Sequence, residues 1–157
     1  LEQGRLAVEK TRVPVAGFFA RLKAEFAAVY PAMQIDALAD AAAVVVTDEP
    51  KLRQIFTVIV ANSAKFAGER CHVVLAARRA GSRMELSAAD DGAGFADGVL
   101  PHVFERFYKG DTAHTRNAGG AGLGLSIAKT LAEALGGEIR AENAPAGGAV
   151  IRVLLPA

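Results

Sequence analysis

The chain has 157 residues, 52% of them hydrophobic, with 18 Lys and Arg against 17 Asp and Glu and a formal net charge of +1. That length and apolar content describe one domain able to bury about two-thirds of its unfolded surface without a disulfide or metal staple, and they exclude a disordered chain. The balanced charge gives no reason to expect nucleic-acid or membrane binding, the single cysteine, Cys71, excludes an internal disulfide and a cysteine-rich zinc site, and no apolar run approaches the roughly 18 residues of a membrane span.

Residues 1–13 are polar and charged, and read as the tail of a preceding element plus a linker. The start at Leu1-Glu2-Gln3-Gly4, without Met, reads as that of a piece of a longer chain. Val15, Phe18, Phe19, Leu22, Phe26 and Tyr30 then recur at helical spacing, which predicts a helix with one face on a core, ended by Pro31. Residues 35–38 and 43–46 read as short strands, and Val44-Val45-Val46 has the continuous β-branched character of a buried one. Thr47-Asp48 is a helix N-cap signal, with Pro50 tolerated in the first turn. Leu52, Ile55, Phe56, Ile59, Val60, Ser63 and Phe66 form the apolar stripe of a second helix. Val58, Asn62 and Lys65 share a side of that helix beside the stripe.

Strand signals return at 73–77 and 84–88, joined by the turn Ala80-Gly81-Ser82. Cys71, next to His72-Val73-Val74-Leu75, reads as a buried strand thiol. Residues 96–116 are irregular and charged, and predict a short helical turn at 103–107 followed by a mobile loop. Leu123, Ile127, Leu131 and Leu135 give a third helical stripe, closed by Gly136-Gly137. The last strands are expected at 139–141 and 150–155, joined by a turn over 143–148. Together these elements predict an α/β (α+β) two-layer sandwich, a mixed β-sheet of about five strands with three main helices on one face.

Two glycine clusters carry the chemistry. In Asp90-Asp91-Gly92-Ala93-Gly94, Asp90 ends a strand, where a carboxylate can accept a hydrogen bond from an exocyclic amine. Gly92 and Gly94 leave bare backbone that a flat ring can approach. In Gly119-Gly120-Ala121-Gly122-Leu123-Gly124-Leu125, unpaired N–H groups and the positive helix end suit phosphates. No Lys-Ser/Thr follows, so this is not a Walker A loop. The Asn62 amide can ligate Mg²⁺, which favours oxygen and keeps several waters. Lys65, nearly one turn on, can reach a phosphate. Phe66 can either pack on a base or fill the core.

These motifs stand in an order that resembles the catalytic ATP-binding (HATPase_c) domain of bacterial sensor histidine kinases, in the GHKL superfamily shared with DNA gyrase, a heat-shock chaperone and the mismatch-repair ATPase MutL. The N box is matched by residues 54–66, the first glycine box by 90–94, the F box by Val103-Phe104-Glu105-Arg106-Phe107-Tyr108-Lys109 and the second glycine box by 120–125. The resemblance implies the Bergerat-type ATP-binding fold over residues 14–157, with residues 1–13 as the end of a dimerisation hairpin and linker. It implies ATP and Mg²⁺ as ligands, with Asn62 holding the metal and Asp90 reading the adenine amine. Tyr108 and Lys109 would reach the nucleotide from a lid, Lys109 being a candidate γ-phosphate contact. The backbone at Gly122, Leu123, Gly124 and Leu125 would line the phosphates.

The implied partners are the dimerisation and phosphoacceptor domain of the same parent kinase and, indirectly, a response regulator. No nucleic acid and no direct membrane contact are expected. The implied location is a cytoplasmic domain, with an inner-membrane sensor as a candidate parent. His72, His102 and His114 all lie outside a His-Glu-x-x-x-Pro setting, so the phosphoacceptor belongs elsewhere. Three departures matter. Val58 stands where these kinases usually carry Asn and the gyrase-like ATPases a Glu that activates water, which disfavours an ATP-hydrolysing clamp and keeps open a non-catalytic regulatory module. Phe66 replaces the common Tyr, and Lys109 a common Arg, whose bidentate fork is lost.

Overall fold

A computed structural model describes residues 7–105 and 124–157. Tyr108, Lys109, Gly120, Gly122 and Leu123, and the loop expected after residue 107, lie outside the described residues.

The chain opens with strand β1 (Thr11–Pro14), which runs directly into α1 (Val15–Val29). Residues 11–13 thus form a strand where the sequence reads as linker. β1 pairs antiparallel with β3 (Val44–Thr47) in a two-stranded ribbon beside the main sheet. The Val44-Val45-Val46 run is correspondingly not buried on both sides. Val45 is buried and Val46 faces solvent, because a two-stranded ribbon covers only one of its faces.

The main sheet has the order β2-β4-β5-β7-β6. β2 (Gln34–Leu38) pairs parallel with β4 (His72–Ala80), and the other pairings are antiparallel. β4 and β5 (Arg83–Asp90) form a hairpin around Gly81-Ser82, where Gly81 takes φ +63°. β6 (Glu138–Asn143) and β7 (Ala149–Pro156) form a second hairpin. All four hairpin strands outrun the apolar cores that announce them, and in β4, β5 and β6 the ladder continues through charged residues.

α1, α2 (Glu49–Ala67) and α3 (Gly124–Ala134) cover one face of this sheet. Phe18 and Phe19 of α1 meet Phe56 of α2 edge-on, with ring centroids 6.0 and 6.1 Å apart. Below them lie Leu75, Leu86, Val153 and Leu155, all fully buried. Asp48 caps α2. Its Oδ1 accepts from the Lys51 N–H (3.2 Å) and its Oδ2 from the Glu9 N–H (2.9 Å), which anchors the incoming chain to the helix. In α3 the buried residues are Leu125, Ser126, Ala128, Leu131 and Ala132. Leu131 and Leu135 of the expected stripe are buried, while Ile127 is exposed and Leu125 and Ala128 face inward in its place. After β5 a 3-10 turn spans Leu100–His102, slightly ahead of the helical turn expected at 103–107.

Candidate nucleotide site

Residues from α2, the end of β5, the β6–β7 turn and the start of α3 converge at one end of the sheet. Asp90 is at its centre. Its Oδ2 accepts from Ser63 Oγ of α2 (3.0 Å), and its Oδ1 accepts from the backbone N–H groups of Gly92 (3.0 Å) and Ala149 (3.1 Å). A carboxylate oxygen has about two lone pairs. Oδ1 is therefore filled by two backbone donors, and among the described residues Oδ2 has only the Ser63 hydroxyl, which leaves it one acceptor position. The neighbouring Asp91 accepts from the His72 N–H at the start of β4 (2.9 Å).

The two glycines of the first cluster are needed by the protein's own packing. A Cβ on Gly92 would lie 2.5 Å from the Ala67 Cβ at the end of α2, and one on Gly94 would lie 2.7 Å from Asn143 Oδ1. Gly94 also takes φ +83°, a left-handed backbone that other residues rarely adopt. The bare backbone expected there is present, and it is used first to seat the loop against α2 and the β6–β7 turn.

On α2, Phe66 is 48% exposed, so of its two expected roles core filling is excluded. Lys65 is exposed as well, while Asn62 and Val58 are half-buried. Val58 faces the first residue of α3, since a Cβ built on Gly124 would lie 3.6 Å from Val58 Cγ1. Asn62 lies one helical turn further along that side, one residue from the Ser63 that holds Asp90. An amide oxygen placed there suits a hard cation that takes one or two protein ligands and completes its shell with phosphates and water. Leu125 anchors the start of α3 with a buried side chain, leaving the Gly124 backbone at the helix head. Among the described residues no cluster of three or more His, Cys, Asp or Glu is placed to hold a metal.

Cys71 is buried just before β4. Burial pushes its thiol pKa up, and the Asp90 and Asp91 carboxylates push it further. It is an inert wall of the site, as a buried thiol should be. Sequence reasoning missed Ser63 as a polar partner, having placed it in the apolar stripe, and missed Asn143, read only as a turn residue, and Ala149, which lay between the expected turn and strand.

A nucleotide-binding α/β sandwich is the class these features define. A family model described as histidine kinase-, DNA gyrase B-, and HSP90-like ATPase matches residues 47–157, and the chain belongs to that family. Among curated relatives, the sensor histidine kinase AruS of Pseudomonas aeruginosa is 50% identical over 99 residues, 60% of this chain and 10% of that protein. The histidine-protein kinase AfsQ2 of Streptomyces coelicolor is 44% identical over 109 residues, 69% of this chain and 20% of that protein. The chain thus spans a minor part of the length of these relatives. Among solved structures, the catalytic domain of histidine kinase ThkA superposes with a TM-score of 0.79 at 20% identity, covering 94% of this chain and 95% of that one. The ATP-binding domain of PrrB from Mycobacterium tuberculosis gives 0.76 at 26% identity, covering 94% and 97%.

Proposed function

We propose that this chain is the ATP·Mg²⁺-binding catalytic domain of a sensor histidine kinase, which presents the γ-phosphate to a histidine on a separate dimerisation domain of the same parent protein. The observation that carries this reading is the Asp90 carboxylate, fixed by Ser63, Gly92 and Ala149 with one acceptor position left on Oδ2. Such an acceptor takes a hydrogen bond from the adenine amine and rejects a base that presents a carbonyl there. The exposed Phe66 ring packs on the base. Asn62 holds Mg²⁺, and Lys65, Lys109 and the N–H groups of 120–125 hold the phosphates, with Tyr108 closing from the lid. When bound, Mg²⁺ neutralises charge on the phosphates, and the protein supplies positioning. A structural neighbour, ShkA, 27% identical and superposing with a TM-score of 0.78, has been solved at full length in complex with AMPPNP.

In this reading residues 1–13 lead in from the parent's dimerisation hairpin, and a response regulator is the eventual phosphate acceptor. The domain works on the cytoplasmic side and makes no membrane contact of its own. Among the described residues no helix is long and apolar enough to cross a membrane. Titration of the chain with ATP, with and without Mg²⁺, tests the site. Tighter binding with Mg²⁺ is expected, and absence of any nucleotide binding by the folded chain defeats the proposal.

A second reading has one observation in its favour. Val58 places an apolar contact on Gly124, where the related ATPases carry a polar group, and this fits a module that binds nucleotide but regulates by protein contact. Phosphate transfer from ATP to the parent's separately supplied hairpin domain decides between the two. Transfer supports the kinase, and binding without transfer supports the regulator.

A further inference from the structure

We propose that Asn143 is a positioning residue for the base end of the site, an inference that rests on the nucleotide reading above. Asn143 is the last residue of β6. Its Oδ1 accepts from the Phe95 N–H (2.8 Å), and its Nδ2 donates to the Phe95 carbonyl (2.9 Å). One side chain thus supplies both bonds that a neighbouring strand would give to residue 95, 48 positions away in sequence. An amide carries a donor and an acceptor side by side, which neither a carboxylate nor a hydroxyl of similar length does with this spacing.

The same hairpin holds the other end of the loop. The Ala149 N–H binds Asp90 Oδ1, and Gly148 approaches so closely that a Cβ on it would lie 1.9 Å from the Asp90 carbonyl oxygen. Residues 90–95 are therefore clamped at both ends by the β6–β7 turn, with the loop that faces the base strung between. Gly94 makes room for the amide. Asn143 touches no nucleotide atom; it acts by fixing where the loop leaves the pocket, and so how Asp90 and the bare backbone meet the base.

The test uses the chain as it stands, with adenosine, ATP and GTP titrated by calorimetry in the presence of Mg²⁺. Because Asn143 is exposed, Asn143→Ala is expected to fold. It should weaken adenosine and ATP binding about 5- to 20-fold through the two lost hydrogen bonds, and narrow the preference for ATP over GTP. Asn143→Asp keeps the acceptor for the Phe95 N–H but sets a second carboxylate oxygen against the Phe95 carbonyl, so it should not restore the affinity or the preference, and full recovery in it overturns the proposal. Wild-type affinity and preference in Asn143→Ala overturn the proposal. So does an equal loss for ATP and GTP that merely tracks a lowered unfolding temperature, since that is a structural effect alone. A wild-type chain that binds ATP no better than GTP overturns the base-reading site itself, and the positioning role with it.

Discussion

The two faces of the five-stranded sheet are finished in opposite ways. The inner face is apolar and covered by helices, and its chemistry is confined to one end, where Asp90 meets α2 and the β6–β7 turn. The outer face carries charge across its width. Glu85 on β5 binds Arg78 of β4 (3.2 Å) and Arg152 of β7 (2.7 Å), and Arg152 continues to Glu142 of β6 (3.0 Å). Glu138 on β6 binds Arg83 (2.8 Å) and Arg140 (2.7 Å). Carboxylates therefore do two jobs in one sheet. On the outer face Glu85, Glu138 and Glu142 are matched by arginines and have no call on a ligand. At the inner end Asp90 is held, among the described residues, by neutral donors, which leaves it able to accept one more.

That contrast is tested most severely by Asp90→Asn, which should lower affinity for ATP about 10- to 100-fold, the worth of a lost hydrogen bond to a charged group. Unchanged affinity by calorimetry would remove Asp90 from the site. Asn62→Ala comes next. It should abolish the extra affinity that Mg²⁺ gives, and a variant that still responds fully to Mg²⁺ places the metal elsewhere.

The outer face should answer in stability. Glu85 is almost wholly buried. Burial raises its pKa, and the hydrogen bonds from Arg78 and Arg152 outweigh that and hold it below the ordinary value. Glu85→Gln should cost about 1–3 kcal/mol, read as a fall in unfolding temperature of roughly 2–4 °C per kcal/mol at this size, with ATP affinity unchanged. A loss of nucleotide binding in this variant would show that the two faces are not independent.

The smallest effect is expected at Glu138. Its hydrogen bonds from Arg140 and Arg83 hold its pKa at about 2, below the ordinary 4.5. A depressed carboxylate contributes its stability above the unfolded value and loses it as pH falls through the folded one. The wild type's advantage over Glu138→Gln should thus be complete above 4.5 and fade towards about 2. Urea midpoints measured down that range check it, and an advantage that does not change with pH rules out the ion pair as its source.

Much of this was legible in the sequence, for reasons that differ by element. α2 announced itself by period, cap and Pro50, and helical geometry alone puts Val58, Asn62 and Lys65 on one side of it. Asp90 and its glycines were legible as a strand end running into a turn. Ile127 of α3 was misjudged because Leu125 and Ala128 fit an inward stripe as well as Ile127 does, and only the packed neighbours choose between them. β1 gave no signal because a strand of four residues with Thr11 and Arg12 at its head has no apolar alternation to read. Ser63 and Asn143 were missed as partners because each is defined by a residue far along the chain, Asp90 for one and Phe95 for the other. Local pattern holds no record of such pairs.

The β6–β7 turn also sets limits on how the molecule can be rebuilt. Gly147 and Gly148 are adjacent and both take positive φ, yet a Cβ on Gly147 meets nothing, while one on Gly148 would overlap the backbone of Asp90. An engineer wishing to splice a tag or a lengthened loop into this hairpin has room at Gly147 and on its outward side. One residue later there is none, because that glycine is the seam along which two distant stretches of chain are pressed together.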